Sequence, residues 1–254
     1  MHLPLCLFTL LGATSLSAQV NFNSSYSQDF NTLAVNTSST TSATFTNNET
    51  LIGWYSNKAG SARASSGSSS EWGNGIYSWG LENTTERALG TYINEGFAAS
   101  PAYLGVQLLN TSGETINSIS LSYTIEQWRR NTNATTWTAD YLIASNSNDM
   151  ISASSGYTNI PAATVTAEYT GTPGGASYLG TDANQAFTIT LSDLNWENGE
   201  YLWIRWTNAQ SVDSSGLAID DLTITAIPEV NSTSLLIGCL ALTSATLLHR
   251  RNQE

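Results

Sequence analysis

Residues 216–227 read Gly-Leu-Ala-Ile-Asp-Asp-Leu-Thr-Ile-Thr-Ala-Ile. Aliphatic residues alternate with Thr and Asp, the period-two pattern of a half-buried strand. Regular parity puts Asp220 on the face of Leu222, Ile224 and Ala226, and Asp221 on that of Thr223 and Thr225. One carboxylate is therefore expected to point inward, toward an Arg or an ion. Pro228-Glu229, an apolar run and a basic end follow directly. The strand thus reads as the last of a folded body.

Working back from it, the same short-strand pattern recurs. Strands are expected at 26–30, 51–55, 75–80, 87–92, 103–109, 115–128, 136–143, 163–169, 187–191 and 200–207, with weak alternation across 36–50. Residues 57–75 read as a mobile loop or hairpin, and most of 145–184 as loop. The clearest hairpin is expected where Tyr103–Leu109 meets Thr115–Trp128 across the turn Asn110-Thr-Ser-Gly113. In its second arm Ile119, Leu121, Tyr123 and Ile125 share one face, while Thr124, Glu126 and Trp128 share the other. No 3.6-residue pattern runs beyond two turns and no internal repeat occurs. The expected fold is all-β: an antiparallel β-sandwich of jelly-roll type over residues 19–227.

Composition narrows the chemistry. Of 254 residues only 11% are charged, and the net charge of −12 falls wholly between Gln19 and Pro228. Such a surface repels phosphate backbones, so no nucleic acid is expected as a partner. The only cysteines are Cys6 and Cys239, and the only histidines His2 and His249. All four lie outside the body. A Ser-His-Asp or Cys-His arrangement and a His-ligated zinc site are therefore excluded from it.

The two ends read as sorting segments. Residues 1–18 carry an apolar stretch and then Ser15-Leu16-Ser17-Ala18, the pattern of a cleaved signal peptide, although no Lys or Arg precedes it. Residues 228–254 carry the apolar run Leu235–Leu248 and then His249-Arg250-Arg251. Counted from Val230, the run approaches the length of a membrane-spanning helix, and Arg250 and Arg251 would hold its end on the cytoplasmic side.

Within the body, ionisable residues inside strands stand out because charge is so scarce. Glu126, Arg129, Arg87, Arg205, Asp220 and Asp221 form the main polar set. Buried Arg–carboxylate pairing is the first reading. A glycosidase-like pair, Glu126 with Asp220 or Asp221, is the catalytic alternative. Asp220 and Asp221, with Asp29 from a neighbouring first strand, are candidate ligands for a structural Ca²⁺. All eight Trp lie in the body. Trp54, Trp72 and Trp137 sit beside loops or polar alternation and are the candidates for stacking against sugar rings.

Pro228-Glu229-Val230, the run Leu235–Leu248 and Arg250-Arg251 resemble the PEP-CTERM sorting signal. That family usually has a second Pro where this chain has Val230. The resemblance implies export by a Gram-negative bacterium and processing by an exosortase-type membrane transpeptidase. It implies a protein that stays membrane-anchored or reaches the cell surface. The body resembles a module often carried by such proteins, through Tyr77-Ser-Trp-Gly80, Glu86-Arg-Ala-Leu-Gly90, Tyr123 with Glu126-Gln-Trp-Arg129, Leu202-Trp-Ile-Arg-Trp206 and Leu217-Ala-Ile-Asp-Asp-Leu222. This likeness implies location and fold, with no activity attached. The combined expectation is a non-catalytic surface or matrix protein, with extracellular polysaccharide as its candidate ligand. A carboxylate-dependent polysaccharide-active enzyme and a purely structural component remain the alternatives.

Overall fold

The alternation at 119–125 is realised in a long strand, Ile119–Arg129, whose Ile119, Leu121, Tyr123 and Ile125 are all buried in the main core. It pairs antiparallel with Gly216–Ala226, the strand of the opening stretch. In this computed structural model, residues 19–67, 73–94, 101–172, 183–209 and 213–229 are described. The expected signal segment, Trp72, the apolar run, Arg250 and Arg251 lie outside the described residues. No helix among the described residues is long and apolar enough to cross a membrane.

The described chain is a two-sheet β-sandwich. The eight-stranded sheet runs β13 (Asn184–Leu191), β9 (Ile119–Arg129), β15 (Gly216–Ala226), β7 (Ala88–Tyr92), β6 (Gly75–Trp79), β5 (Gly60–Ser65) and β3 (Thr40–Phe45). Its eighth strand, β2 (Ser25–Gln28), pairs with β15 beyond the end of β7. The seven-stranded sheet runs β1 (Val20–Phe22), β8 (Ala102–Asn110), β14 (Tyr201–Asn208), β10 (Thr136–Ala144) and β11 (Thr158–Asn159). In it β4 (Trp54–Ser56) also pairs with β8, and β12 (Val165–Thr166) with β10. The inner faces enclose one core, in which Trp54 stacks on Trp206 at 6.1 Å and Phe30 meets Trp54 edge-on at 4.9 Å.

Four expectations are corrected. The residues around Asn110–Gly113 do not close a hairpin: β8 and β9 belong to different sheets, and residues 111–118 cross between them. The Asn110 amide fixes that crossing by donating to the carbonyls of Glu114 and Trp196. The sandwich is not wholly antiparallel, because β1–β8 and β5–β6 are parallel pairs. Residues 57–75 hold a strand, β5, whose Ala62 and Ala64 are buried. The stretch 163–169 is not one strand but follows a 3₁₀ turn, Pro161–Ala163, with only two paired residues in β12.

Regular parity also fails at the end of β15. A bulge between Asp220 and Thr223 shifts its register against β9, so Ile219 and Leu222 both face the core. Asp221 adopts a left-handed backbone there, with φ 49°. The bulge re-aims the two carboxylates and marks where the partner of β15 changes from β7 to β2.

Leu121 lies fully buried at the centre of this packing. Leu121→Ala is expected to cost about 2–5 kcal/mol through lost transfer energy and a residual cavity, read as a lowered urea midpoint with an unchanged slope.

Candidate functional site

Three polar centres flank the sandwich, and each holds some of the residues singled out from sequence. The first lies on the outer face of the eight-stranded sheet. Ala218 faces outward with Tyr77, Trp79, Ala88, Tyr92 and Trp128, which form a second small core. Glu126 is buried there, and its Oε2 accepts from Trp128 Nε1 at 2.7 Å. Asp220 is buried too, with Oδ1 accepting the Asp221 N–H at 2.7 Å. Burial pushes Glu126 up to about 7, and the negative charges of Glu86 and Asp221 add to the effect. Asp220 is raised as well, first by burial and then by Glu126 and Asp221. Both carboxyls are therefore biased toward their protonated forms relative to exposed ones.

The expected Arg–carboxylate pairing is therefore largely corrected. Arg87 is buried among neutral acceptors: Nε donates to Ser78 Oγ at 2.8 Å, and one terminal nitrogen to Asn36 Oδ1 at 2.8 Å. The other terminal nitrogen donates to the Ser78 carbonyl. With no carboxylate partner among the described residues, burial lowers its pKa to about 10. Arg129 is held close to the Tyr92 ring, 5.3 Å from its centroid, and donates to the Gly67 carbonyl at 3.5 Å.

The one salt bridge among the described residues lies on the outer face of the seven-stranded sheet. Leu202, Ile204 and Trp206 face the core, so Trp203 and Arg205 face away, as the alternation of β14 predicts. Arg205 forms a two-pronged pair with Asp140, Nε–Oδ1 2.9 Å and Nη2–Oδ2 2.7 Å. Its remaining nitrogen donates to the carbonyls of Ile151 and Ala153. The guanidinium lies 3.6 Å from the centroid of the Tyr157 ring and 4.5 Å from that of Tyr103. Beside it, Trp203 and Gln107 are register partners across β14 and β8. Trp203 Nε1 and Gln107 Nε2 are buried with no hydrogen-bond partner among the described residues. Tyr55 donates its hydroxyl to Gln107 Oε1 at 3.4 Å.

Sequence reading missed Asp140, Tyr103, Tyr157 and Gln107. The usable signal was parity: Asp140 shares a face with Thr138 and sits directly opposite Arg205. Recognising it needs the β10–β14 pairing, which is not local in the chain.

The third centre is a recess of about 240 Å³ lined by Ser27, Gln28, Asp29, Asp221, Leu222 and Thr223. It opens at the β15 bulge, where β2 replaces β7. Asp29 and Asp221 both line it, whereas Asp220 does not. No cluster of three or more His, Cys, Asp or Glu that could hold a metal ion occurs among the described residues.

The tryptophans correct the stacking expectation. Trp54 is 0% exposed and Trp137 1%, so neither offers a face to a sugar, and Trp72 lies outside the described residues. Trp54 Nε1 is engaged by Tyr26 Oη at 2.8 Å. The more exposed rings are instead tyrosines, Tyr103, Tyr157 and Tyr201 among them.

No protein-family model matches this sequence, and no curated protein matches it. Solved structures of similar fold include the CBM22-1 xylan-binding domain from Paenibacillus barcinonensis Xyn10C, at 9% identity and TM-score 0.41, covering 81% of this chain and 95% of that one. The xylan-binding module CBM15 matches at 11% and 0.37, covering 75% and 98%. The K3 cleaved adhesin domain of Lys-gingipain from Porphyromonas gingivalis w83 matches at 14% and 0.36, covering 58% and 79%. All three likenesses are weak, and neither ligand nor activity is carried over from them.

The raised carboxyls give a pH dependence of defined sign. Glu126 is about 7 in the folded protein and near 4.3 when unfolded, so the folded state binds the extra proton between those values. Its contribution is fully present below about pH 4 and is lost as pH rises through about 7, an effect of order 3 kcal/mol at most. Glu126→Gln is expected to flatten the fall in melting temperature between pH 4 and 8. An unchanged slope in the variant would overturn this assignment.

Proposed function

We propose that this protein is a non-catalytic, exported surface or matrix component that binds a neutral extracellular polysaccharide. The body is read as a jelly-roll-type sandwich, with the outer face of its seven-stranded sheet as the binding surface. The observation that carries this reading is the Arg205 centre. Tyr103 and Tyr157 are only partly buried, and both rings are held by a guanidinium that is itself clamped by Asp140. Rigid aromatic faces beside hydrogen-bonding groups are what a sugar ring binds. The net charge of −12 favours a neutral polymer over an acidic one. The carboxylate-dependent enzyme is the weaker reading, because Glu126 and Asp220 are only 8% and 3% exposed.

Two further proposals accompany it. Sorting by an exosortase-type enzyme is supported by position: β15 ends at Ala226, and Pro228 and Glu229 follow on the surface. There Glu229 Oε1 accepts from the Asn117 amide at 2.9 Å. The membrane would be engaged through residues 235–248 and the Arg250-Arg251 end. Structural Ca²⁺ in the recess is supported by Asp29 and Asp221, whose carboxylates are the hard oxygen donors this cation takes.

Co-sedimentation of the full chain with the producing cells' own extracellular polysaccharide tests the first proposal. Saturable retention is expected, with Tyr103→Ala and Tyr157→Ala each weakening it about tenfold, in line with the loss of one stacked ring. No retention, or retention indifferent to both substitutions, would sink it. Calcium is tested by melting: 1 mM Ca²⁺ is expected to raise the transition by a few degrees over chelator. Asp221→Asn is expected to abolish that difference, and identical melting with and without the ion would end the assignment.

A further inference from the structure

The two sheets treat their edges differently. In the seven-stranded sheet the outermost strands are fragments: β1 and β4 have 3 residues each, and β11 and β12 have 2. Short edge strands are a common protection against pairing with another chain. The eight-stranded sheet ends instead in β13, with 8 residues reading Asn-Gln-Ala-Phe-Thr-Ile-Thr-Leu. It holds no Lys, Arg, Asp or Glu, no Pro and no Gly. Its register with β9 is unbroken from Asn184 to Leu191, so no bulge twists it away. Asn184, Ala186, Thr188 and Thr190 are exposed on the outer face. Among the described residues β9 is its only strand partner, and no other backbone–backbone bond reaches residues 184–191. The remaining edge, β3, is shorter and partly blunted, since Ser38 Oγ donates to the Thr40 carbonyl at 2.9 Å.

We propose that β13 is a self-association edge, pairing antiparallel with β13 of a second copy so that the two eight-stranded sheets become continuous. The partner follows from charge and from self-complementarity. Two copies of a chain at −12 repel, and β13 is an uncharged stretch along which they can approach without like charges meeting. A two-fold axis normal to the sheet keeps each side chain on its own face, so it must pass midway between two copies of one residue. With the axis at Thr188, Thr188 faces its own copy and Ala186 faces Thr190, all small and uncharged. On the inner face Phe187 meets Ile189, which extends the apolar layer. The contact is one strand pair with no large apolar patch, which places it among weak interfaces, with dissociation in the range of tens of micromolar.

Sedimentation equilibrium of the full chain in density-matched mild detergent tests this. Wild type is expected to show a two-chain species by about 100 µM. Thr188→Lys sets two ammonium groups face to face and is expected to weaken association at least about tenfold. Thr44→Lys, the matching change on β3, is expected to behave as wild type. Amide exchange of wild type gives a second reading that needs no variant: residues 184–191 are expected to gain protection as concentration rises. A single-chain wild type at the highest concentration overturns the proposal. So does undiminished association of Thr188→Lys, loss of association in Thr44→Lys, or concentration-independent exchange in β13.

Discussion

The structure depends on the placement of β15. One side of this strand pairs with β9 along most of its length, and the other is shared between β7 and β2. Burial of Leu217, Ile219, Leu222 and Ile224 drives that placement, because each is almost wholly removed from water. Keeping all four on the core side while changing partners requires the bulge. The recess and the left-handed Asp221 lie at that single extra residue.

Charge is scarce in this chain, and what is buried is handled in three ways. Arg205 is paired, stacked and saturated by carbonyls. Arg87 is solvated by neutral groups, Ser78, Asn36 and the Leu81 carbonyl, which act in place of water. Glu126 and Asp220 keep protons longer than exposed carboxyls do. These arrangements specify packing more than they stabilise it, since desolvation offsets much of what each contact returns. The outer face of the seven-stranded sheet differs in kind. Its aromatic rings are fixed by an ion pair, and two donors beside them have no partner within the described protein.

Strand positions and faces were legible where the pattern is local. Ile119 to Ile125 and the opposition of Arg205 to Ile204 follow from period two alone, and they hold. Pairing was not legible, because a turn signal such as Asn110–Gly113 is the same whether its arms close a hairpin or cross between sheets. The bulge was invisible for a related reason: parity counted along β15 assumes a partner that keeps step. The site suffered most. Asp140 carries no motif of its own and gains meaning only opposite Arg205. Trp54 and Trp137 sit beside polar residues in the sequence, yet their strands turn those rings into the core.

The first strands and the last lie together. β2, near the start of the described chain, pairs with the final strand, and that final strand is interior to its sheet. Nothing made earlier can supply its place. During synthesis β9 and β7 have no neighbour to complete their ladders until residues 216–226 emerge, so the eight-stranded sheet cannot form stepwise from its N-terminal side. Its loops close over nearly the whole length of the chain, which makes folding slow and late. A chain cut short before Gly216 would lose the strand that joins the two halves of that sheet, and would remain an open, aggregation-prone collection of edges.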